Sequence, residues 1–127
     1  TKGTATPFDI ATGIETANNF TYDLALHLHH GKHLMNNVST GYLNGVREFD
    51  ASIGGLGGCP FVEGSGANLA TEDLVKWCEK KGIDCGVKSS DLKAARRLAH
   101  KIKNPTLKVA AKNKINETKN RFKAVWF

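Results

Sequence analysis

The order of apolar patterns along the chain predicts an α/β fold in which two strands lie parallel in one sheet. Helical and strand patterns alternate as helix, strand, helix, strand and helix, and strands connected through helices usually lie parallel. The 127 residues are 40% hydrophobic and 24% charged, which is typical of one globular domain. Because two strands alone do not form a stable sheet, we expect a piece of a larger domain, or a chain that depends on another copy.

The first half of the chain contains two helix patterns and two strand patterns. Residues 7–18 have apolar side chains at helical spacing, with Thr6 as the expected N-cap. Residues 24–29 are almost continuously apolar, which predicts a strand buried on both faces. Residues 33–44 form the second helix pattern, and residues 48–53 form the second strand pattern.

A glycine-rich segment separates the second strand from two further helix patterns. Residues 54–60 include four glycines, a density that favours a loop over a helix or a strand. We expect the next helix to begin at Asn68 or Thr71, with that side chain as its cap, and to end at Lys81. Residues 90–104 form the last clear helix pattern.

Basic residues are concentrated in the C-terminal part of the chain. Residues 1–75 contain three basic and eight acidic residues, whereas residues 76–127 contain fifteen and four. The stretch from Lys93 to Lys123 holds eleven basic residues and one acid, which is typical of a nucleic-acid-binding surface but also of a solvated helix face. We favour the solvated face and do not expect nucleic acid as a partner.

Composition excludes several classes of protein. No run approaches the roughly 18 apolar residues of a membrane-spanning helix, and the mean hydropathy is −0.34, so we expect no membrane partner. The three cysteines are too few, and odd in number, for a disulfide scaffold. We therefore expect a reducing compartment, the cytoplasm, with the mitochondrial matrix as the alternative.

Two histidines on the first predicted strand form the first candidate site. His27 and His29 would share one strand face with their Cα atoms about 6.5–7 Å apart, a spacing from which both imidazoles can bind one ion. They lie at the C-terminal end of the strand, where parallel α/β folds gather active-site groups. The alternative is that one or both are hydrogen-bonded core histidines. His30 and His33 follow closely, which makes the pattern less specific.

Cys59 and Asn68 are the other candidates. The glycines before Cys59 indicate a mobile loop that carries a thiol over a pocket, since neither nucleotide-binding glycine pattern fits. Cys59 could equally be an inert buried thiol. The Asn68 side chain could cap a helix, or its amide oxygen could bind a magnesium-like ion. The residues alone leave both pairs of alternatives open.

Two segments resemble the signature of 3-hydroxy-3-methylglutaryl-CoA (HMG-CoA) lyases. They are residues 52–61 (SIGGLGGCPF) and residues 66–75 (GANLATEDLV). Residues 26–29 (LHLH) are similar to the metal-binding histidine pair at the end of the seventh barrel strand of that family, and residues 49–52 (FDAS) to its eighth strand. The resemblance covers about residues 1–90.

This resemblance implies a fold and a domain organisation. Residues 1–90 would be the C-terminal part of a (β/α)8 TIM barrel of the pyruvate-carboxyltransferase-like type, with its last two strands and flanking helices. Residues 91–127 would be a basic, helical C-terminal extension. A complete barrel takes roughly 250 residues, about twice this chain. The implied partners are a missing N-terminal barrel segment or further copies of the chain.

The resemblance also implies a metal-assisted carbon–carbon lyase. Members of the family cleave HMG-CoA, an acyl-CoA substrate, to acetyl-CoA and acetoacetate. His27, His29 and Asn68 match the metal ligands, and imidazole and amide ligands favour Mg²⁺ or Mn²⁺. His27 would also accept the substrate hydroxyl proton, and Cys59 matches the catalytic cysteine.

Three further groups of the family site belong to early barrel strands and have no counterpart in this chain: an aspartate ligand, an arginine and a glutamate. We therefore expect the chain alone to be inactive. One alternative function is that of a related aldolase or acyl-CoA lyase acting on another 3-hydroxy acid. The other is a basic, non-enzymatic module that binds polyanions.

Overall fold

The computed structural model describes residues 5–20, 23–58 and 66–103. Its elements, in chain order, are α1 (Pro7–Ala17), β1 (Ala25–His27), α2 (Leu34–Leu43), β2 (Glu48–Asp50), a 3₁₀ turn (Ile53–Gly55), α3 (Thr71–Lys81) and α4 (Lys93–Lys103). This order confirms the predicted α/β class. The predictions for Cys59 and for residues 104–127 lie outside the described residues. None of the described helices is both long and apolar enough to cross a membrane.

The two strands pair in parallel, as the helical connection between them predicts. The paired residues are Ala25 with Glu48, Leu26 with Phe49, and His27 with Asp50. Leu26 and Phe49 lie against Gly41 in α2, where a Cβ atom would collide with the Leu26 side chain. A glycine at this position therefore allows α2 to cover this face of the sheet closely.

The expectation that the first strand is buried on both faces is wrong for the described part of the chain. Ala25 and His27 are exposed, whereas Leu26 between them is half-buried. On β2, Glu48 and Asp50 are exposed in the same way. The reason is that α2 covers only the face with Leu26. The other face carries His27 and Asp50, whose side chains are 53% and 69% exposed.

A small apolar core lies between α2 and the ends of the strands. Leu28, Leu34, Val38 and Leu69 form its buried cluster. Val38 and Leu69 have no exposed surface at all. α1 packs against α2 and adds Ile10 to the edge of this core, and the Asn37 amide nitrogen donates a hydrogen bond of 2.7 Å to the Ala5 carbonyl oxygen.

α1 begins at the predicted cap. The Asp9 backbone N–H donates to the Thr6 hydroxyl oxygen at 3.3 Å, and the Thr6 backbone N–H donates to the Asp9 carboxylate at 2.8 Å. These hydrogen bonds from Thr6 lower the pKa of the Asp9 carboxyl below its ordinary value of 3.8. The cap therefore stabilises α1 above that pH, and its contribution is lost as the pH falls through the lowered pKa.

The predicted side-chain cap of the third helix, Asn68 or Thr71, is wrong. α3 begins at Thr71, its N-cap is Ala70, and no side chain caps it. The reason is that residues before the helix pair with the strand ends, Asn68 with His29 and Ala70 with Ser52, so the sheet sets their extended backbone. The predicted end is confirmed, since α3 closes at a left-handed Gly82 with φ 68°.

We expect Leu69→Ala to lower the free energy of unfolding by about 2–5 kcal/mol, because it leaves a cavity in the core. Leu43→Ala is the matched control, since Leu43 is 82% exposed, and it should change the free energy by less than about 0.5 kcal/mol. Urea denaturation followed by circular dichroism measures both. Equal losses in the two variants would contradict the described core.

Candidate metal centre

A short extended segment before α3 joins the C-terminal ends of the two strands. The Leu69 backbone N–H donates to the Leu28 carbonyl oxygen at 2.9 Å, and the Ser52 backbone N–H donates to the Leu69 carbonyl oxygen at 3.0 Å. Asn68 pairs across with His29. Because paired residues on neighbouring strands point to the same side, this segment places the Asn68 side chain beside His29.

The two histidines that the sequence singles out lie together. The ring centroids of His27 and His29 are 4.9 Å apart, and the ring planes are inclined by 77°. The His27 side chain is 53% exposed, and His29 is half-buried. Both rings are on the strand face that α2 leaves uncovered. The alternative of hydrogen-bonded core histidines is therefore wrong for the exposed His27 and stays open for the half-buried His29.

Each imidazole has a partner at Nδ1. Nδ1 of His27 lies 3.4 Å from a carboxylate oxygen of Asp50, its neighbour in the sheet register. Nδ1 of His29 lies 3.3 Å from the Gly66 carbonyl oxygen. Oxygen partners of this kind favour the tautomer in which Nδ1 carries the proton, so the lone pair of each ring is on Nε2. This is the arrangement that metal-binding histidines commonly have.

Only one of the two polar atoms of the Asn68 amide has a hydrogen-bond partner among the described residues. Its nitrogen donates to the Leu56 carbonyl oxygen at 3.0 Å, whereas its oxygen is buried and has no hydrogen-bond partner among the described residues. A buried carbonyl oxygen without a partner costs about 1–3 kcal/mol. A hard cation is a suitable partner, because amide oxygens are good ligands for Mg²⁺ and similar ions. The donor set therefore fits a divalent metal ion.

The described residues do not form a complete metal site. Nowhere in residues 5–20, 23–58 and 66–103 do three or more His, Cys, Asp or Glu side chains lie close enough together to hold an ion. The candidate centre consists of two imidazoles and one amide. Because Mg²⁺ and Mn²⁺ take about six ligands, the remaining ones must come from water, from substrate or from other residues.

The sequence did not identify two of the groups at this centre. Asp50 and the Gly66 carbonyl orient the imidazoles, but neither carries a motif of its own. The signal for Asp50 was its polar position on the second predicted strand, opposite His27 once the strands are parallel and in register. No sequence signal indicates Gly66, because its contribution is a backbone oxygen.

The glycine-rich turn approaches the Asn68 segment very closely. Gly55 has a φ of 60°, and a Cβ at this position would lie 2.6 Å from the Asn68 backbone oxygen. At Gly57, a Cβ would lie 2.9 Å from the Asn68 amide nitrogen. Glycine is therefore required at both positions for the turn to lie against Asn68.

A cleft of about 290 Å³ opens beside the candidate centre. Its lining includes Asn68 and Gly55, the bases Arg96 and Lys103 from α4, and the acids Glu72 and Asp73 from α3. The two acids offset the two bases, so the cleft has charged groups of both signs beside Asn68.

Comparison with known proteins identifies the relatives of this chain. No protein-family model matches it. It is 38% identical over 102 residues to the (R)-citramalyl-CoA lyase of Chloroflexus aurantiacus, a match that covers 75% of this chain and 31% of that protein. It is 40% identical over 110 residues to a hydroxymethylglutaryl-CoA lyase of Bacillus subtilis, which covers 83% of this chain and 36% of that protein. The chain is a homologue of the HMG-CoA lyases.

A solved structure supports the same relationship. This HMG-CoA lyase homologue superposes on the crystal structure of the HMG-CoA lyase from Brucella melitensis with a TM-score of 0.71 and 31% sequence identity. The superposition covers 79% of this chain and 36% of that one. The α/β fold thus matches part of a lyase structure, and the resemblance in the sequence is confirmed. The chain spans about a third of the length of the curated relatives it matches.

We expect Gly55→Ala to destabilise the protein by about 1–3 kcal/mol, because alanine is strained at this φ and its Cβ meets the Asn68 backbone. Gly13→Ala is the control. Gly13 is an exposed position in α1 with nothing near its would-be Cβ, so alanine should stabilise the helix by about 0.5–1 kcal/mol. Thermal and urea unfolding measure both. A neutral Gly55→Ala would contradict the close approach.

Proposed function

We propose that this chain forms the C-terminal part of the TIM barrel of a metal-dependent lyase that cleaves HMG-CoA to acetyl-CoA and acetoacetate. The observation that carries the proposal is the contact between the rings of His27 and His29, together with the backbone pairing of His29 with Asn68, at the C-terminal ends of two parallel strands. Active sites of (β/α)8 barrels lie at this end of the strands. The relatives named as lyases support the same reaction class.

In this proposal, His27, His29 and Asn68 hold Mg²⁺ or Mn²⁺. A bound divalent cation supplies Lewis-acid polarisation of the substrate oxygens and lowers the pKa of the tertiary hydroxyl. The protein fixes the direction of each ligand: Asp50 and the Gly66 carbonyl orient the two imidazoles, and the Leu56 carbonyl orients the Asn68 amide. These partners hold the ligands in place and so reduce the entropy that is lost on metal binding.

The cleavage moves two protons. The carbon–carbon bond breaks as the hydroxyl proton of the substrate leaves, and its electron pair becomes the acetyl-CoA enolate. The proton acceptor would be Nε2 of His27, in the state in which His29 and Asn68 hold the cation without it. Cys59, which is outside the described residues, is proposed to protonate that enolate. Because Nδ1 of His27 faces Asp50, Nε2 has the only available lone pair, so at any moment it binds either the cation or the proton.

The acyl-CoA substrate and the rest of the barrel are the proposed partners. The exposed strand face with His27 and Asp50 needs further barrel strands to exclude water from the reaction. We propose that those strands come either from the same polypeptide or from another chain, and that this chain alone does not turn over substrate. The domain boundary near residue 90 and the cytoplasmic or matrix location remain predictions.

A second substrate follows from one comparison. The relative from Chloroflexus aurantiacus, at 38% identity over 75% of this chain, is named (R)-citramalyl-CoA lyase. Since the metal-binding residues would be the same, discrimination between the two acyl-CoA substrates would depend on the rest of the pocket. We therefore keep a lyase for another 3-hydroxy acid as the alternative.

A chimera tests the proposed activity. We expect this chain, fused in place of the corresponding third of the Bacillus subtilis lyase, to restore Mn²⁺-dependent release of acetoacetate from HMG-CoA. The His29→Ala chimera should lose at least about a hundredfold in kcat, because one metal ligand is removed. The same chimera offered (R)-citramalyl-CoA tests the alternative substrate. A folded chimera that is inactive on both substrates would contradict the proposal.

Metal binding tests the site separately. We expect His29→Ala and Asn68→Ala each to weaken Mn²⁺ binding by the chain by about tenfold or more, as measured by calorimetry or electron paramagnetic resonance. The control is His33→Ala, since this histidine lies just before α2 and makes no capping hydrogen bond. A ligand role for His27 predicts the same loss in His27→Ala, whereas a role as proton acceptor alone predicts an unchanged Kd. Unchanged Kd values for His29→Ala and Asn68→Ala would remove the assigned ligands.

A further inference from the structure

Two charged side chains hold the backbone of Gly54, the first glycine of the glycine-rich turn. The Gly54 backbone N–H donates to a carboxylate oxygen of Glu72 at 2.9 Å. The Lys103 ammonium group donates to the Gly54 carbonyl oxygen at 2.6 Å. Glu72 is in α3, and Lys103 is in the last turn of α4. Both polar groups of one glycine are therefore bound by side chains from two different helices.

Glu72 is a buried acid whose second oxygen faces α4. The residue is 6% exposed, and its other carboxylate oxygen lies 3.6 Å from Nε of Arg96. A buried carboxylate is tolerated only when charges or hydrogen bonds compensate it. Ala99 is 2% exposed, and a Cβ at Gly54 would lie 3.0 Å from its methyl group. α4 is thus packed directly on the turn and neutralises the acid beneath it.

The glycine-rich turn also holds the Asn68 amide. The Leu56 carbonyl oxygen accepts hydrogen bonds from the Asn68 amide nitrogen at 3.0 Å and from the Ser52 hydroxyl at 2.6 Å. Because the amide is planar, a fixed nitrogen also fixes the direction of the Asn68 oxygen. A continuous series of contacts therefore runs from α4 through Gly54 and Leu56 to the proposed metal ligand.

We infer that α4 is a brace that positions Asn68 for metal binding, with Arg96 and Lys103 as its positioning residues. This inference rests on the metal site of the proposed function. It gives the start of the basic C-terminal region a definite role, since two of its cations are directed inward at Glu72 and Gly54. The brace acts through the turn, and neither cation is a ligand of the metal.

Simple electrostatics predicts the opposite change in cation affinity, so the sign of the change tests the inference. Removal of two positive charges near a cation site should strengthen cation binding, because like charges repel. Loss of the brace should weaken it, because Asn68 then loses its fixed direction. The change in affinity therefore has a different sign in the two cases.

The test compares two double variants of equal charge in the full chain. Arg96→Gln with Lys103→Gln removes the brace. Arg97→Gln with Lys101→Gln is the control, because neither residue has an ion pair or a hydrogen bond from its side chain to any described residue. We expect the brace variant to bind Mn²⁺ about tenfold more weakly than the control, as calorimetry measures it. Lys103→Arg, which keeps a cationic donor, should bind Mn²⁺ like the wild type.

Hydrogen exchange of the Gly54 amide, measured by nuclear magnetic resonance without metal, provides a second readout. It should be about tenfold faster in the brace variant than in the control. A Kd for Mn²⁺ equal to or lower than that of the control would overturn the inference. If the wild-type chain shows no saturable Mn²⁺ binding, the metal site of the proposed function fails. In that case the exchange rate of the Gly54 amide alone tests the brace. A rate in the brace variant equal to that of the control would overturn the inference.

Discussion

The candidate centre depends on the insertion of one short segment between the ends of the two strands. Leu69 is completely buried, its N–H is bound to Leu28 just after β1, and its carbonyl is bound to Ser52 just after β2. These three constraints fix an extended backbone just before α3, and Asn68 is consequently placed opposite His29. If Leu69 were not held, the amide would be free to cap the helix instead. The burial of Leu69 therefore determines where the polar side chain of Asn68 lies.

The parallel register is the second constraint, because it orients the imidazoles. His27 and Asp50 are neighbours only because β1 and β2 pair without an offset that separates them. The face that carries them is exposed. On an exposed surface, water competes with imidazoles and carboxylates for a metal ion and so weakens its binding. The exposure of this strand face is therefore consistent with a chain that spans about a third of the length of its relatives.

Composition alone did not predict what the basic residues of the C-terminal part bind. From the sequence, the basic residues indicate either a solvated face or a polyanion-binding surface. In the structure, Arg96 compensates a buried acid and Lys103 binds a backbone carbonyl. A count of charges could not distinguish these uses, because the partners are a residue 24 positions earlier and a glycine 49 positions earlier in the chain. All basic residues of α4 are exposed, Arg96 and Lys103 included, so exposure does not separate the two uses either.

The sequence by itself determined the elements that local physics controls. Thr6 and Asp9 specify the start of α1, Gly82 specifies the end of α3, and the alternation of helical and strand patterns specifies the α/β class and the parallel strands. The histidine pair and the glycine-rich signature also determined the relationship to HMG-CoA lyases. Tertiary structure alone decided which strand face is covered, that Asn68 is released from a capping role, and that α4 lies on the turn. Those outcomes depend on hydrogen bonds and packing between distant residues, for which no local periodicity carries a signal.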